Sequence, residues 1–327
     1  MNFSQHALDA LSRLRTQFLN AQEGLADYWS SEELLALYDA TFAERIGWKW
    51  NFVLKDLETR NWTLPNGTLV DWGCGTGIAS QKILQSNIAP SLRMVSLFDR
   101  STLSVDFASK KLMRLFANIS FTQGDSPDAS SVLISHVLNE LSNAELSRLL
   151  ERLKRATSII WVEPSQKQIA MRLVEVREAL RNDFHIVAPC VHQASCGMLA
   201  PENARHWCHH VALPPQEAFT ESKWAKFADA FNIDLSDLSL SYLVLDKRPI
   251  KPLASNVKRL VGNVRLYKAT ASLLLCDEQG VRDVELTKRD LPDVFKAFKK
   301  GKIASLAAVE VESGRIKQWD APTRCRQ

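Results

Sequence analysis

The chain has 327 residues, 46% of them apolar and 24% charged, with 12 Gly and 12 Pro. That is enough apolar surface for a real core, and it excludes a collagen-like, low-complexity or wholly disordered protein. The net charge of +4 is unevenly spread: residues 241–327 hold 18 Lys and Arg against 10 Asp and Glu, the rest of the chain 23 against 27.

At roughly 100–200 residues per domain, the length predicts two domains or one large domain with additions. No run approaches ~18 apolar residues, so no membrane-crossing helix is expected. The first residues lack the basic start and apolar run of a secretory signal, and Asp9 and Glu23 interrupt any Arg-rich transit pattern. The expectation is a cytoplasmic, monomeric protein with no membrane contact. Six cysteines are too few for a disulfide scaffold at this length, so reduced thiols are expected.

Residues 1–60 read as a helical extension. Leu8, Leu11, Leu14 and Phe18 share one face, and Leu34, Leu35, Leu37 and Tyr38 form a second stripe after the Ser30-Ser31-Glu32-Glu33 start signal. The segment from Asn61 to Asn66, with Pro65, marks a boundary. From Thr68, strands and helices alternate: strands over 68–73, 94–99, 119–125, 131–138 and 157–165, helices over 78–84, 101–115, 143–156 and 166–182. This is the grammar of a doubly wound parallel α/β sheet. Residues 239–247 read as a returning edge strand, and 257–318 as short strands around a basic helix over 291–300. The predicted domains are the extension (1–60), an α/β domain (61–250) carrying a Cys/His loop (185–212), and a small basic β-rich domain (251–327).

Two segments carry chemistry. In Val70-Asp71-Trp72-Gly73-Cys74-Gly75-Thr76-Gly77 a strand ends and a helix opens. Glycines there let a ligand approach the backbone closely, and the helix start supplies free amide donors. A GxGxG alone also fits a dinucleotide binder. Asp71 before the first glycine, Asp99 ending the next strand, where it meets ribose hydroxyls, and Gly124-Asp125 after the third, at the adenine edge, move the reading to S-adenosylmethionine. Together these resemble class I methyltransferases of the Rossmann-like fold over about residues 65–248. After strand four, Ser135-His136-Val137-Leu138-Asn139-Glu140 matches neither an amino-methylation signature nor a Pro-Cys nucleophile. His136 as base and Glu140 as orienting acid are the only catalytic candidates, beside a purely structural reading of both.

The second segment, residues 185–210, gathers three of the six cysteines and five of the seven histidines, spaced C-x5-C-x11-C. Such clusters suit zinc, Cu(I) or an iron–sulfur centre, and the tight C-x2–4-C pair of structural zinc sites is absent. With the glycine loop, residues 135–141, Glu163-Pro164, Ala188-Pro189-Cys190, Cys196 and Trp207-Cys208-His209, the chain resembles the methyltransferase-like assembly-factor family of the small ribosomal subunit. That family's best-known members are mitochondrial and it has bacterial relatives; the resemblance covers about residues 65–290. It implies a 4Fe-4S cluster held by Cys190, Cys196, Cys208 and Cys276, with zinc as the alternative and His192 or His209 as substitutes for Cys276. Cys74 belongs to the cofactor loop and Cys325 to the tail.

Cations recur through the last region at Lys247, Arg248, Lys251, Lys258, Arg259, Arg265, Lys268, Lys288, Arg289, Lys296, Lys299, Lys300 and Lys302, with few rings among them. Phosphate and shape contacts to rRNA are expected rather than base readout. The sequence leaves two readings of function open beside a zinc methyltransferase of another substrate. One is a factor that binds S-adenosylmethionine and methylates the small ribosomal subunit or its rRNA; the other is a non-catalytic ribosome-binding factor with structural pocket and cluster.

Overall fold

A computed structural model of the protein describes residues 4–19, 27–301 and 304–320. They form two units, one running up to Glu163 and including Ala212–Leu238, the other comprising Pro164–Val211 and the chain from Ser239.

The first unit opens with α1 (Gln5–Leu19) and α2 (Glu32–Tyr38), then passes through a π-helical turn, Asp39–Ala43, into α3 (Glu44–Thr59). The Ser31 hydroxyl accepts from Leu34 N and caps α2, as the start signal predicts. Leu14, Trp29 and Leu35 are buried together, with Phe18 edge-on to Tyr28. The α/β part follows as β1 (Thr68–Trp72), α4 (Ile78–Leu84), β2 (Met94–Phe98), α5 (Thr102–Leu115), β3 (Ser120–Gln123), β4 (Ser131–Ser135), α6 (Asn143–Leu153) and β5 (Ser158–Pro164). These strands run parallel in the order β3-β2-β1-β4-β5. Leu69, Val70, Val132, Leu133, Ile159 and Ile160 are fully buried, as in strands covered on both faces. The Rossmann-like α/β sheet expected from the sequence is present. Strand order reverses between β1 and β4, so the glycine loop after β1 lies at the topological switch point where such sheets bind ligands.

Next along the chain come α7 (Lys167–Leu180), β6 (His185–Ala188) and β7 (His210–Ala212), then α8 (Glu217–Thr220) and α9 (Ser222–Phe231), which return to the first unit. In that unit Trp224 of α9 meets Trp48 of α3, ring centroids 4.5 Å apart. The second unit continues with β8 (Leu238–Asp246), antiparallel to β6. The expectation of an edge strand at 239–247 is corrected here: β8 pairs with both β6 and β7 and is buried along nearly its whole length, so its continuous apolar run marks an interior strand.

The remaining elements are β9 (Val257–Leu266), β10 (Thr270–Asp277), β11 (Gly280–Thr287), α10 (Pro292–Lys299), β12 (Leu306–Glu312) and β13 (Arg315–Asp320). They close into a five-stranded barrel in the order β10-β11-β13-β12-β9. Ala271, Leu273 and Leu275 of β10 point inward with Val284, Leu286, Phe295, Phe298 and Val309. The sequence pattern anticipated short strands around a basic helix; a fifth strand, with Gly314 at φ +76 in the turn before it, closes them into a barrel.

Phe295 is 1% exposed at the centre of this core. Phe295→Ala is expected to cost about 3–5 kcal/mol locally. Hydrogen exchange would show it as faster exchange of β10 and β11 amides, with the amides of β1 and β4 unchanged.

Candidate functional site

The loop from β1 to α4 is built on three left-handed glycines, with φ of +76 at Gly73, +50 at Gly75 and +73 at Gly77. Gly73 N and Cys74 N donate to Phe98 O at 2.7 and 3.0 Å. Gly75 N donates to Asp99 Oδ2 at 2.9 Å, and Ser101 N to Asp99 Oδ1 at 3.0 Å, so Asp99 ties the loop to the start of α5. A Cβ at Gly77 would stand 3.1 Å from the Ala108 Cβ, whereas one at Gly75 would meet nothing within 4 Å. Gly77 is a packing glycine, and Gly75 faces open space.

Beneath the loop Asp71 is fully buried. Its Oδ2 accepts from Ser80 Oγ at 2.6 Å, and its Oδ1 has no partner. Burial pushes this carboxyl up to about 6, against the pull of the Ser80 hydroxyl. Burial also raises Asp99, which Ser101 and Gly75 partly offset. Asp125 faces Arg152, whose Nε lies 2.8 Å from each of its carboxylate oxygens.

Strand β4 ends at Ser135, short of the predicted 138, because the chain turns sharply there. His136 has φ +58, and Val137 N and Leu138 N donate to Glu163 Oε1, each at 3.0 Å. Trp161 Nε1 donates to the same oxygen at 2.7 Å, leaving Glu163 Oε2 buried without a partner. Burial pushes Glu163 up to about 7. The His136 ring is buried with Nε2 unpartnered; burial and the Lys49 charge hold its pKa well below the usual range, so it is neutral. Glu140 is engaged elsewhere, by the Arg100 guanidinium and by the Tyr28 hydroxyl at 3.3 Å. The sequence singled out His136 and Glu140 but gave Glu163 no role; three N–H donors on one buried carboxylate become visible only in three dimensions.

The second unit contains all four of Cys190, Cys196, Cys208 and Cys276. They lie near enough for charge on Cys190 and Cys196 to raise the pKa of both Cys208 and Cys276. Burial is the larger cause throughout; it pushes Cys196 up to about 11 and Cys208 well above the ordinary thiol range. Arg177 of α7, 3% exposed, donates from Nε to Cys190 Sγ at 3.3 Å and from its Nη2 to Ala194 O at 2.7 Å. Its neighbour Glu178 accepts from Cys196 N at 3.1 Å. His192 Nε2 lies 3.6 Å from Cys276 Sγ, whereas His209 stacks on Trp207.

Among the described residues, no three His, Cys, Asp or Glu side chains are placed to hold a metal ion. In the Cys/His loop expected at 185–212, the chain gathers the thiols without converging three ligands on one point. The physical reason is that buried neutral thiols gain nothing by converging until a metal takes their protons. Cys74 lies in the first unit and is buried, and Cys325 falls outside the described residues.

The basic region is thinner than its residue count. Arg259 is buried, 1% exposed, and donates to Pro189 O at 2.9 Å. Lys258 bonds to Asp277, Arg248 to Asp246 and Arg265 to Asp283. Lys302 lies outside the described residues. No helix among the described residues is long and apolar enough to cross a membrane.

Solved structures with some likeness include a dimethyltransferase of N,N-8-amino-8-demethyl-D-riboflavin from Streptomyces davawensis, 18% identical, covering 56% of this chain and 64% of that one at a TM-score of 0.37. A precorrin-6y C5,15-methyltransferase from Geobacter metallireducens is 15% identical, covering 52% and 82% at 0.30. A SAM-dependent methyltransferase from Aquifex aeolicus is 16% identical, covering 48% and 90% at 0.36. At those scores none carries weight for function. No curated protein matches the sequence with significance. Residues 53–305, well over half of the chain, match the family described as mitochondrial small ribosomal subunit Rsm22, and the chain belongs to that family.

Proposed function

We propose that this protein is an S-adenosylmethionine-binding, 4Fe-4S-containing, methyltransferase-like factor that acts on the small ribosomal subunit or its rRNA. Membership of the Rsm22 family supports the ribosomal partner. The observation that carries the cofactor reading is Gly75, left-handed, open on its side-chain face and located at the switch point of the sheet. The donor set fits the cofactor. Gly75 admits it to the backbone in a loop that the left-handed Gly73 and Gly77 shape by packing, and each Asp99 oxygen keeps a lone pair for a ribose hydroxyl. Asp125, which also accepts from Arg152, would meet the adenine edge, and Asp71, through Ser80, holds the loop from below. Bound S-adenosylmethionine supplies an electrophilic methyl group. The chain's part is to position an acceptor against it at the turn after β4, where Glu163 fixes the backbone of Val137 and Leu138 beside a neutral His136. The engagement of Glu140 by Arg100 and Tyr28 favours a second reading, in which the pocket binds cofactor but transfers no methyl group.

The wide C-x5-C-x11-C spacing, without a tight C-x2–4-C pair, favours a four-iron cluster over one zinc ion. A tetrahedral ion with bonds of about 2.3 Å needs its sulfurs about 3.8 Å apart, whereas a cube spreads them over four irons. Cys190, Cys196, Cys208 and Cys276 would hold the cluster. Arg177 and Arg259, both buried beside them, supply positive charge against the thiolates. The cluster would be structural, since its ligands lie both on the segment 190–208 and on strand β10.

Iron and acid-labile sulfide on anaerobically purified protein should approach about four of each per chain and fall away in Cys276→Ser; one zinc with no sulfide overturns the cluster. Calorimetry should show S-adenosylmethionine binding that Gly75→Ala abolishes or weakens at least tenfold for about 1 kcal/mol of stability. Gly77→Ala should instead lower the melting temperature, because its Cβ would press on Ala108 and Leu112. No binding to the wild-type chain refutes the cofactor reading.

Glu163 yields a pH test. Its folded pKa, about 7, lies above the ordinary 4.5. Its contribution to stability is therefore full below about 4.5 and lost as pH rises through 7. Glu163→Gln keeps an acceptor oxygen for the three N–H groups, so its thermal stability should vary less between pH 5 and pH 7.5 than that of the wild-type chain. Equal slopes would show that Glu163 does not titrate in this range.

A further inference from the structure

Counted from its own first strand, the barrel closes in the order 1-2-3-5-4-1, with α10 between strands three and four and with β11 and β13 parallel. That is the oligonucleotide-binding barrel architecture, whose ligands use the face of strands two and three and the loops joining strands one to two and four to five. In this chain part of that face is already covered. Leu274, Cys276 and Val281, on the outer side of β10 and β11, are buried with Met198, and a Cβ on Gly197 would stand 2.7 Å from Val281 N. The cysteine segment therefore closes one end of the face with protein.

The other end is open and differently equipped. The turn from β9 to β10 exposes Leu266 (40%) and Tyr267 (58%), and Tyr267 N donates to Thr270 O at 2.8 Å, which fixes the turn. Lys288 N donates to Ala269 O at 2.8 Å, so the segment after β11 lies against this turn. Lys268, Lys288 and Arg289 are exposed and form no ion pair among the described residues, unlike Lys258 or Arg265. The turn from β12 to β13 reaches the same end, because Glu285 N donates to Gly314 O at 2.9 Å. Arg315 follows that turn, 3.7 Å from Glu285.

We infer that this end of the barrel is a binding site for single-stranded RNA, with a base stacked on Tyr267 and its phosphates on Lys268, Lys288 and Arg289. The inference rests on the RNA-directed reading above only for the identity of the polyanion. An exposed tyrosine ringed by unpaired cations is the combination that single-strand binding uses, an aromatic platform beside a charged track. A duplex keeps its bases stacked on one another and gives the ring nothing to stack on. Aromatic stacking here adds base contact to the phosphate contacts that the charge pattern alone implies.

The test uses the full chain, a labelled oligouridine and an RNA duplex of equal length, read by fluorescence anisotropy across a salt series. The wild-type chain should prefer the single strand. Tyr267→Ala should weaken that binding roughly tenfold or more, and Tyr267→Phe should restore it. Lys288→Ala with Arg289→Ala should reduce the log–log salt slope by about 1.4, two phosphate contacts' worth. All variants are on exposed turns, and unchanged melting temperatures would confirm folding. Equal affinity for strand and duplex, or no loss in Tyr267→Ala, overturns the inference and leaves the RNA-directed reading intact. Absence of binding to either RNA overturns both.

Discussion

Gly197 has no room for a side chain: the nearest backbone atoms, Val281 N and Gly280 Cα, would lie 2.7 and 2.8 Å from a Cβ. The second unit depends on this close approach. It brings the segment that carries Cys190, Cys196 and Cys208 against the turn of β10 and β11, next to Cys276, across some seventy intervening residues. Asn203 secures the same junction, donating from Nδ2 to Gly197 O at 2.9 Å and to Val281 O at 3.3 Å. Arg177 and Glu178, adjacent on α7, then fix the segment from behind through a thiol, a carbonyl and a backbone amide. Directional bonds to backbone define one arrangement here, where an apolar contact alone would allow sliding.

The first unit is organised differently, around two buried carboxylates each with one oxygen bonded and one bare. Asp71 sits under the glycine loop and Glu163 under the turn after β4, on either side of the reversal in strand order. Burial raises both pKa values toward neutrality. A buried polar atom without a partner costs roughly 1–3 kcal/mol, and both bare oxygens lie near the carboxyl ends of central strands, on Asp71 of β1 and Glu163 of β5.

Much of this was legible in the sequence, and the exceptions have physical causes. Strands β1 to β5 announce themselves as apolar runs bounded by Gly, Asp and Ser, and Ser31 is a readable cap, because these signals are local. β8 reads as an edge only if its neighbours are unknown. β6 is four residues long and lies beside the Cys/His segment, too short for alternation to register. Barrel closure depends on the pairing of β11 with β13, a single register contact between Glu285 and Arg315 that no window of sequence contains. At the candidate sites the glycines were identifiable by type, but only their geometry separates Gly77, which packs, from Gly75, which opens outward. The basic count overstated the charged surface, since Arg259 is spent inside the protein.

Strand β10 has no solvent side along most of its length. Ala271, Leu273 and Leu275 belong to the barrel interior, while Leu274 and Cys276 belong to a second apolar cluster with Met198 and Val281. One strand is thus the shared wall of two cores. The barrel is for that reason not a detachable module: cut from Pro164–Val211, it would present a row of apolar side chains and a bare thiol to water. In evolutionary terms, the barrel and the cysteine segment are constrained to change together, as one inheritance rather than two.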